Sequence, residues 1–286
     1  MDIPSQKGRI ILITGATAGI GRVTAQRLAE AGAHLFLACR SEDKARQAID
    51  EIKQRCQEKG CPNEAIEFLK LDLASLDSVR ACAAEFLARD LPLHLLINNA
   101  GLGGIRGLTQ DGFEMHFGVN YLGHFLLTNL LLERIEDSAP ARIINVASKA
   151  HYMPDELDFD ILHRSTKTVS GMPEYGVSKL GNVLFSAELA RRLGDSDVHT
   201  YALHPGVVAS DIWRRIPWPF RSIVKLFMIS EDEGAQTTLY CATADQVADD
   251  TGLYYDSCKP KYPSRLAQDE ALAKELWARS EAWTGL

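Results

Sequence analysis

The sequence predicts one α/β domain built on a doubly wound, mostly parallel sheet of about seven strands. Short apolar runs alternate with amphipathic stretches over nearly the whole chain, the pattern of strand–helix–strand crossovers. Six of those runs end in residues suited to nucleotide or carbonyl chemistry. That is where ligands bind in a parallel sheet, outside the carboxyl ends of its strands. No internal repeat, low-complexity tract or flexible linker divides the 286 residues, so 1–286 reads as one unit.

The elements follow in order. Apolar runs at Arg9–Ile13, His34–Ala38, Ile66–Leu71, His94–Ile97, Arg142–Ala147 and Val198–Leu203 predict six strands, and Gly252–Tyr255 a seventh. Helical patterns cover about 19–32, 42–59, 75–89, 111–136, 174–193, 231–243 and 267–283. Right-handed crossovers would then cover both faces of the sheet with helices. Two segments break the rhythm, 149–172 and 207–230. Both are long for plain connections at the ligand end, where such loops form pocket walls or lids.

Composition excludes several classes. Thirty-one basic against 38 acidic residues give a net charge of −7 without a dense basic tract, which argues against nucleic acid. The six cysteines at 39, 56, 61, 82, 241 and 258 show no CxxC spacing and read as free thiols in a reducing compartment. The amino terminus, MDIPSQKGR, has no signal-peptide h-region, and no apolar run approaches the roughly 20 residues of a membrane span. The expected location is cytoplasmic. The eight histidines form no HxxxH or HExxH pattern, so no metal site is expected.

The turn after the first strand reads TGATAGIG, Thr14 to Gly21. Its glycines do not match GxGxxG, yet the physics is similar. Gly15 permits a tight turn, Gly19 and Gly21 let backbone approach a phosphate, and a helix amino terminus favours negative charge. The second strand ends Ala38-Cys39-Arg40-Ser41. NAD sites of this type place a carboxylate there; here Arg40 offers a fork suited to a 2′-phosphate, with Ser41 and Lys44 nearby, which favours NADPH. Asp72 could accept from an adenine amino group or cap the helix beginning near Ser75. Asn98-Asn99-Ala100-Gly101 could fix a backbone turn or serve a ligand.

Tyr175 and Lys179 lie four apart near a predicted helix start, on one face. An ammonium beside a phenol favours the phenolate, so Tyr175 could exchange a proton with a carbonyl or alcohol oxygen. Ser148 ends the fifth strand at the ligand mouth, where its hydroxyl could orient that oxygen. Asn120, a poor helix former amid apolar neighbours, could hold a relay water or satisfy a helix contact. His151 and His204 lie near these segments, as substrate contacts or packing residues.

These residues resemble the short-chain dehydrogenases/reductases, through TGATAGIG, the NNAG at 98–101, Asn120, Ser148, YGVSK and the HPG at 204–206, in the family's order over roughly 7–260. The texture of ACR at 38–40, DGFE at 111–114, GVNYLGHFLLT at 118–128, HPGVV at 204–208 and EGAQT at 233–237 is similar to the retinol dehydrogenase branch. The resemblance implies a single Rossmann-type domain and an NADP(H) cofactor. It implies that Thr14, Gly15, Thr17, Ala18, Gly19, Ile20 and Gly21 hold pyrophosphate and ribose, and Arg40 with Ser41 the 2′-phosphate. Asp72 and Leu73 would line the adenine site, and Asn99, Ala100 and Gly101 the track toward the pyrophosphate. Tyr175 would be the proton donor. Lys179 would bind the nicotinamide ribose, Ser148 would position the carbonyl, and Asn120 would sustain the water relay. Pro205, Gly206 and Val208 would border the nicotinamide, with Ser210 near the pyrophosphate. Familiar members of the branch often carry an amino-terminal membrane anchor, whereas this chain starts almost at its first strand.

The implied reaction is reversible reduction of an apolar aldehyde or ketone: retinal, then lipid-derived aldehydes, then steroid ketones. Rival readings are an NADPH-binding sensor or scaffold without turnover and a protochlorophyllide-type reductase. Residues 211–229 interleave Trp213, Trp218 and Phe220 with Arg214, Arg215 and Arg221, broken by Pro217 and Pro219. They are a candidate substrate lid, peripheral membrane contact or packing surface of a homo-oligomer.

Overall fold

The computed structural model describes residues 2–206 and 229–286. Eight strands form one sheet in the order β3-β2-β1-β4-β5-β6-β7-β8. They are β1 (Ile10–Thr14), β2 (His34–Cys39), β3 (Ile66–Lys70), β4 (Leu95–Asn98), β5 (Ala141–Val146), β6 (Val198–His204), β7 (Leu253–Asp256) and β8 (Lys259–Lys261). All neighbours pair in parallel except β7 and β8. The strand order reverses between β1 and β4, the kind of switch point beside which ligands bind at the carboxyl ends of such strands. This is the doubly wound Rossmann arrangement expected from the alternation.

The apolar runs are nearly continuous because both faces of the sheet are covered. In β1, Ile11 and Ile13 face a core shared with α1 (Gly19–Glu30), α2 (Glu42–Glu58) and α6 (Glu231–Thr243). Ile10 and Leu12 face the opposite core. There they meet α3 (Leu76–Leu87), α4 (Gly123–Glu136), α5 (Met172–Leu193) and α7 (Glu270–Thr284). Burying side chains such as Leu28, Phe125 and Leu180 completely is worth roughly 1.5–3 kcal/mol each.

The structure adds detail at three places. The sheet has an eighth strand. Lys259-Pro260-Lys261 carries no apolar alternation, but a two-residue turn at Ser257 and Cys258, both at positive φ, folds it back on β7. The helix expected over 111–136 begins only at Met115, because Gly112 sits at φ +80° and Glu114 caps the turn by accepting from Phe117 N. It then widens into a π turn over Gly118–Leu122 before continuing as α4. The loop 149–172 contains two 3₁₀ turns, Lys149–Tyr152 and Phe159–His163.

Candidate active site

Thr14 closes β1 with its side chain fully buried. Its Oγ1 accepts from Asn99 N at 3.0 Å and Ala100 N at 2.9 Å, while Asn99 Nδ2 donates to Thr14 O at 2.9 Å and Gly15 O at 3.3 Å. The two loops are so close that a Cβ on Gly15 would lie 2.8 Å from Ala100 Cα, and one on Gly21 2.4 Å from Asn99 Nδ2. Gly19, in contrast, is uncrowded among the described residues, with Glu231 Oε1 4.0 Å from its Cβ position. Ser41 and Ser75 cap α2 and α3, but Ala18 gives α1 no side-chain cap. Among the described residues no side chain caps the first N–H groups of α1, beside Thr17, Ala18 and Ile20, and a phosphate fits that place.

The other nucleotide candidates share this end of the sheet. Gly15 N donates to Ala38 O, and Arg40 lies two residues farther along, exposed. Its guanidinium has no partner among the described residues, while Lys70 Nζ donates to its carbonyl at 2.6 Å. Ser41 Oγ accepts from Lys44 N, which leaves the hydroxyl proton free to donate. Asp72 does not cap α3; its Oδ1 accepts from Ala74 N, and Ser75 is the cap. Leu73 is buried against the start of α4, where a Cβ on Gly123 would lie 2.9 Å from Leu73 Cδ2.

Asn120 and Lys179 meet beside Gly101. A Cβ on Gly101 would lie 3.5 Å from both Asn120 Oδ1 and Lys179 Nζ. The helix α5 approaches the strand end closely, since a Cβ on Gly176 would be 3.0 Å from Ala150 O. Tyr175 stands in the first turn of that helix. Burial pushes its phenol up, and Ser148 works against that rise. Lys179 is buried, donates to Val146 O at 2.7 Å and lies 5.7 Å from the centre of the Tyr175 ring. Desolvation lowers its ammonium from 10.5 to about 7. Asn120 lies in the π turn. Its Oδ1 accepts from Leu102 N at 2.8 Å, and its Nδ2 donates to Leu102 O and to Ser178 Oγ. Ser178 donates onward to Tyr175 O at 2.7 Å.

Pro205 and Gly206 follow β6 at the same end, half-buried, and Gly206 (φ +97°) lies against Ile229. Val208, Ser210 and residues 211–228 of the oily segment, with Trp213, Trp218 and Phe220, lie outside the described residues. A cavity of about 240 Å³ opens beside the first turn of α5, walled by Phe117, Ile161, Leu162, Pro173 and Val177. Its walls do not include Tyr175, Ser148 or Lys179. Among the described residues no three His, Cys, Asp or Glu side chains could hold one metal ion.

Histidines fasten the site's backbone. His151 Nδ1 donates to Ser148 O at 2.6 Å and its Nε2 accepts from Ser264 N. His204 Nδ1 accepts from Lys149 N, and burial lowers its ring to about 4. Both are cross-links, the packing alternative of the sequence reading. Sequence reasoning missed Asn182, whose Nδ2 shares Val146 O with Lys179, and His124, which bridges Thr14 and Asn120. It also missed buried Glu114, which accepts from His116 Nδ1, Thr166 Oγ1 and Phe117 N and so ties the 149–172 loop to the turn before α4. Only the helical spacing of His124 from Asn120 could have pointed to any of these contacts.

The sequence profile of the short chain dehydrogenase family matches residues 9–158. Retinol dehydrogenase 12 of Mus musculus is 43% identical over 276 residues, which span 94% of this chain and 84% of that protein. Retinol dehydrogenase 13 of Homo sapiens is 41% identical over 288 residues, spanning 98% and 85%. A solved structure of an uncharacterized protein from Mycobacterium Paratuberculosis superposes with a TM-score of 0.78 at 33% identity, covering 99% of this chain and 96% of that one.

Proposed function

The chain belongs to the short chain dehydrogenase family, in its retinol dehydrogenase branch, and from that premise we propose that it reduces an apolar aldehyde or ketone with NADPH. The same site would run the reverse oxidation. Retinal is the first candidate substrate and a lipid-derived aldehyde the second. The grouping of Asn120 and Lys179 beside Gly101, with Tyr175 next to Lys179 and Ser148 acting on its phenol, supports this reading. Residues 1–286 would form one catalytic domain. We place it in the cytoplasm, with 211–229 as a membrane or substrate contact; no described helix is long and apolar enough to cross a membrane.

The glycine turn and the uncapped start of α1 would take the pyrophosphate. Arg40 would take the 2′-phosphate, since a carboxylate that would favour NADH is absent from Ala38 to Ser41. When bound, NADP(H) supplies or accepts the hydride, and the protein supplies alignment.

Tyr175 donates its phenol proton to the substrate oxygen or recovers it from an alcohol. Ser148, which acts on that phenol and keeps its hydroxyl proton while accepting from Ala150 N, would donate to the same substrate oxygen. Lys179 uses one of its donors on Val146 O and retains others for ribose hydroxyls. The Asn120 amide has spent both N–H groups on Leu102 O and Ser178 Oγ. Its side chain therefore braces the Gly101–Leu102 backbone against α5, and a relay water would donate to an Asn120 oxygen rather than accept from its amide.

NADPH consumption with all-trans-retinal and with a medium-chain aldehyde tests the reading, with Tyr175→Phe as control. Loss of a positioned general acid should lower kcat by about 10²–10⁴-fold. Turnover of the aldehyde alone removes the retinoid assignment. Wild-type turnover by Tyr175→Phe removes the tyrosine from the mechanism.

A further inference from the structure

His124 is buried on α4, one turn beyond Asn120. Its Nδ1 lies 3.0 Å from Asn120 O, and its Nε2 lies 2.9 Å from Thr14 Oγ1. A carbonyl oxygen only accepts, so Nδ1 carries the proton and Nε2 presents a lone pair. The single hydroxyl proton of Thr14 then goes to Nε2 rather than to Ile97 O, which is farther away at 3.4 Å. With its proton turned that way, Thr14 Oγ1 presents its lone pairs to Asn99 N and Ala100 N, both of which donate to it. The imidazole is therefore the keystone of a continuous chain: the NNAG amides, Thr14, His124 and the Asn120 carbonyl. Burial and the nearby Lys179 ammonium lower the ring to about 4, so it holds this neutral tautomer at physiological pH.

We propose that His124 is a positioning residue for the reaction, setting the cofactor turn and the catalytic cluster in register through one rigid ring. This rests on the reading above, in which the Thr14 turn holds NADP(H) and Asn120 supports the catalytic group. The ring meets each side through a different nitrogen. Its δ edge holds the π turn that carries Asn120, and its ε edge holds the strand end that shapes the phosphate cradle. An apolar ring of similar size would keep the packing and lose both connections. Asn120 O would lose this donor, and the Thr14 proton would be free to turn toward Ile97 O, releasing the orientation of the NNAG amides.

The two edges can be separated. An asparagine reaches the δ position and can still donate to Asn120 O, whereas a glutamine reaches the ε position and can still accept from Thr14. His124→Asn, His124→Gln and His124→Phe would be compared in the full chain. The readouts are NADPH Kd by nucleotide fluorescence without substrate, kcat at saturating NADPH, and Tm. His124→Asn should raise Kd by about tenfold, the size of one lost buried hydrogen bond, with kcat within about twofold of wild type. His124→Gln should do the reverse, lowering kcat by about tenfold with Kd nearly unchanged. His124→Phe should lose both; if it does not fold, the asparagine–glutamine pair still decides. A Tm loss in both polar variants with Kd and kcat of the folded fraction unchanged, or moving together, would show that His124 only packs. Failure of the wild type itself to bind NADPH or to turn over a carbonyl would instead overturn the functional reading.

Discussion

The glycine turn after β1 and the cluster around Ser148 and Tyr175 are held by opposite means. The turn is made of backbone: Gly15 and Gly21 exist so that Ala100 and Asn99 can press against it, and its hydrogen bonds run from amides to carbonyls and one hydroxyl. The cluster is made of side chains whose protons are perturbed by burial, a phenol pushed up and an ammonium pulled down. Histidines fix its backbone from behind. The first region is thus sensitive to the addition of a methyl group, and the second to the position of a proton.

That contrast would break first at Gly21. An added Cβ would meet Gly15 O at 2.6 Å as well as the Asn99 amide, and a carbonyl of the turn cannot swing aside. Gly21→Ala should cost about 1–3 kcal/mol of stability through overpacking and abolish measurable NADPH binding, checked by urea denaturation and nucleotide titration. Gly19→Ala, whose Cβ meets no crowding among the described residues, should cost only the positive-φ penalty of about 1–2 kcal/mol. Equal binding losses in both variants would mean that crowding does not govern the turn.

Arg40 tests whether the nucleotide half depends on charge as well as shape. Arg40→Leu should weaken NADPH by about 10–100-fold, as expected for lost charge-assisted hydrogen bonds, and leave NADH little changed. Parallel loss of both nucleotides in steady-state kinetics would assign Arg40 a different role.

The remaining test concerns the proton on Lys179. The folded chain releases that proton near 7, whereas the unfolded chain keeps it to about 10.5. Between those values the unfolded state binds more protons, so stability should rise with pH across the window. In the cofactor-free protein, urea midpoints at pH 7, 8 and 9 should climb relative to those of Lys179→Met. A falling difference would show that Lys179 is charged in the fold.

The same contrast decides what could be read from residues alone. TGATAGIG was legible because the backbone conformation demands glycine at fixed intervals, and Tyr175–Lys179 because one helical turn brings them to one face. Asn120 and Ser148 were legible from type and place. His124 was not, because its partner Thr14 lies 110 residues away in sequence and a buried histidine has no characteristic neighbours. Glu114 was hidden for the same reason, its meaning set by Thr166 in a loop without periodicity. The hairpin to β8 turns through Ser257-Cys258 rather than a glycine pair, so nothing in its composition announced it.

That hairpin governs how molecules can meet. A sheet edge is a template on which another chain can crystallise as one more strand. Here the outermost strand is Lys259-Pro260-Lys261, exposed along its length. The proline has no N–H to offer, and antiparallel pairing with a second copy in register would set lysine against lysine. Among the described residues the sheet therefore ends in a strand that is a poor template for a further one.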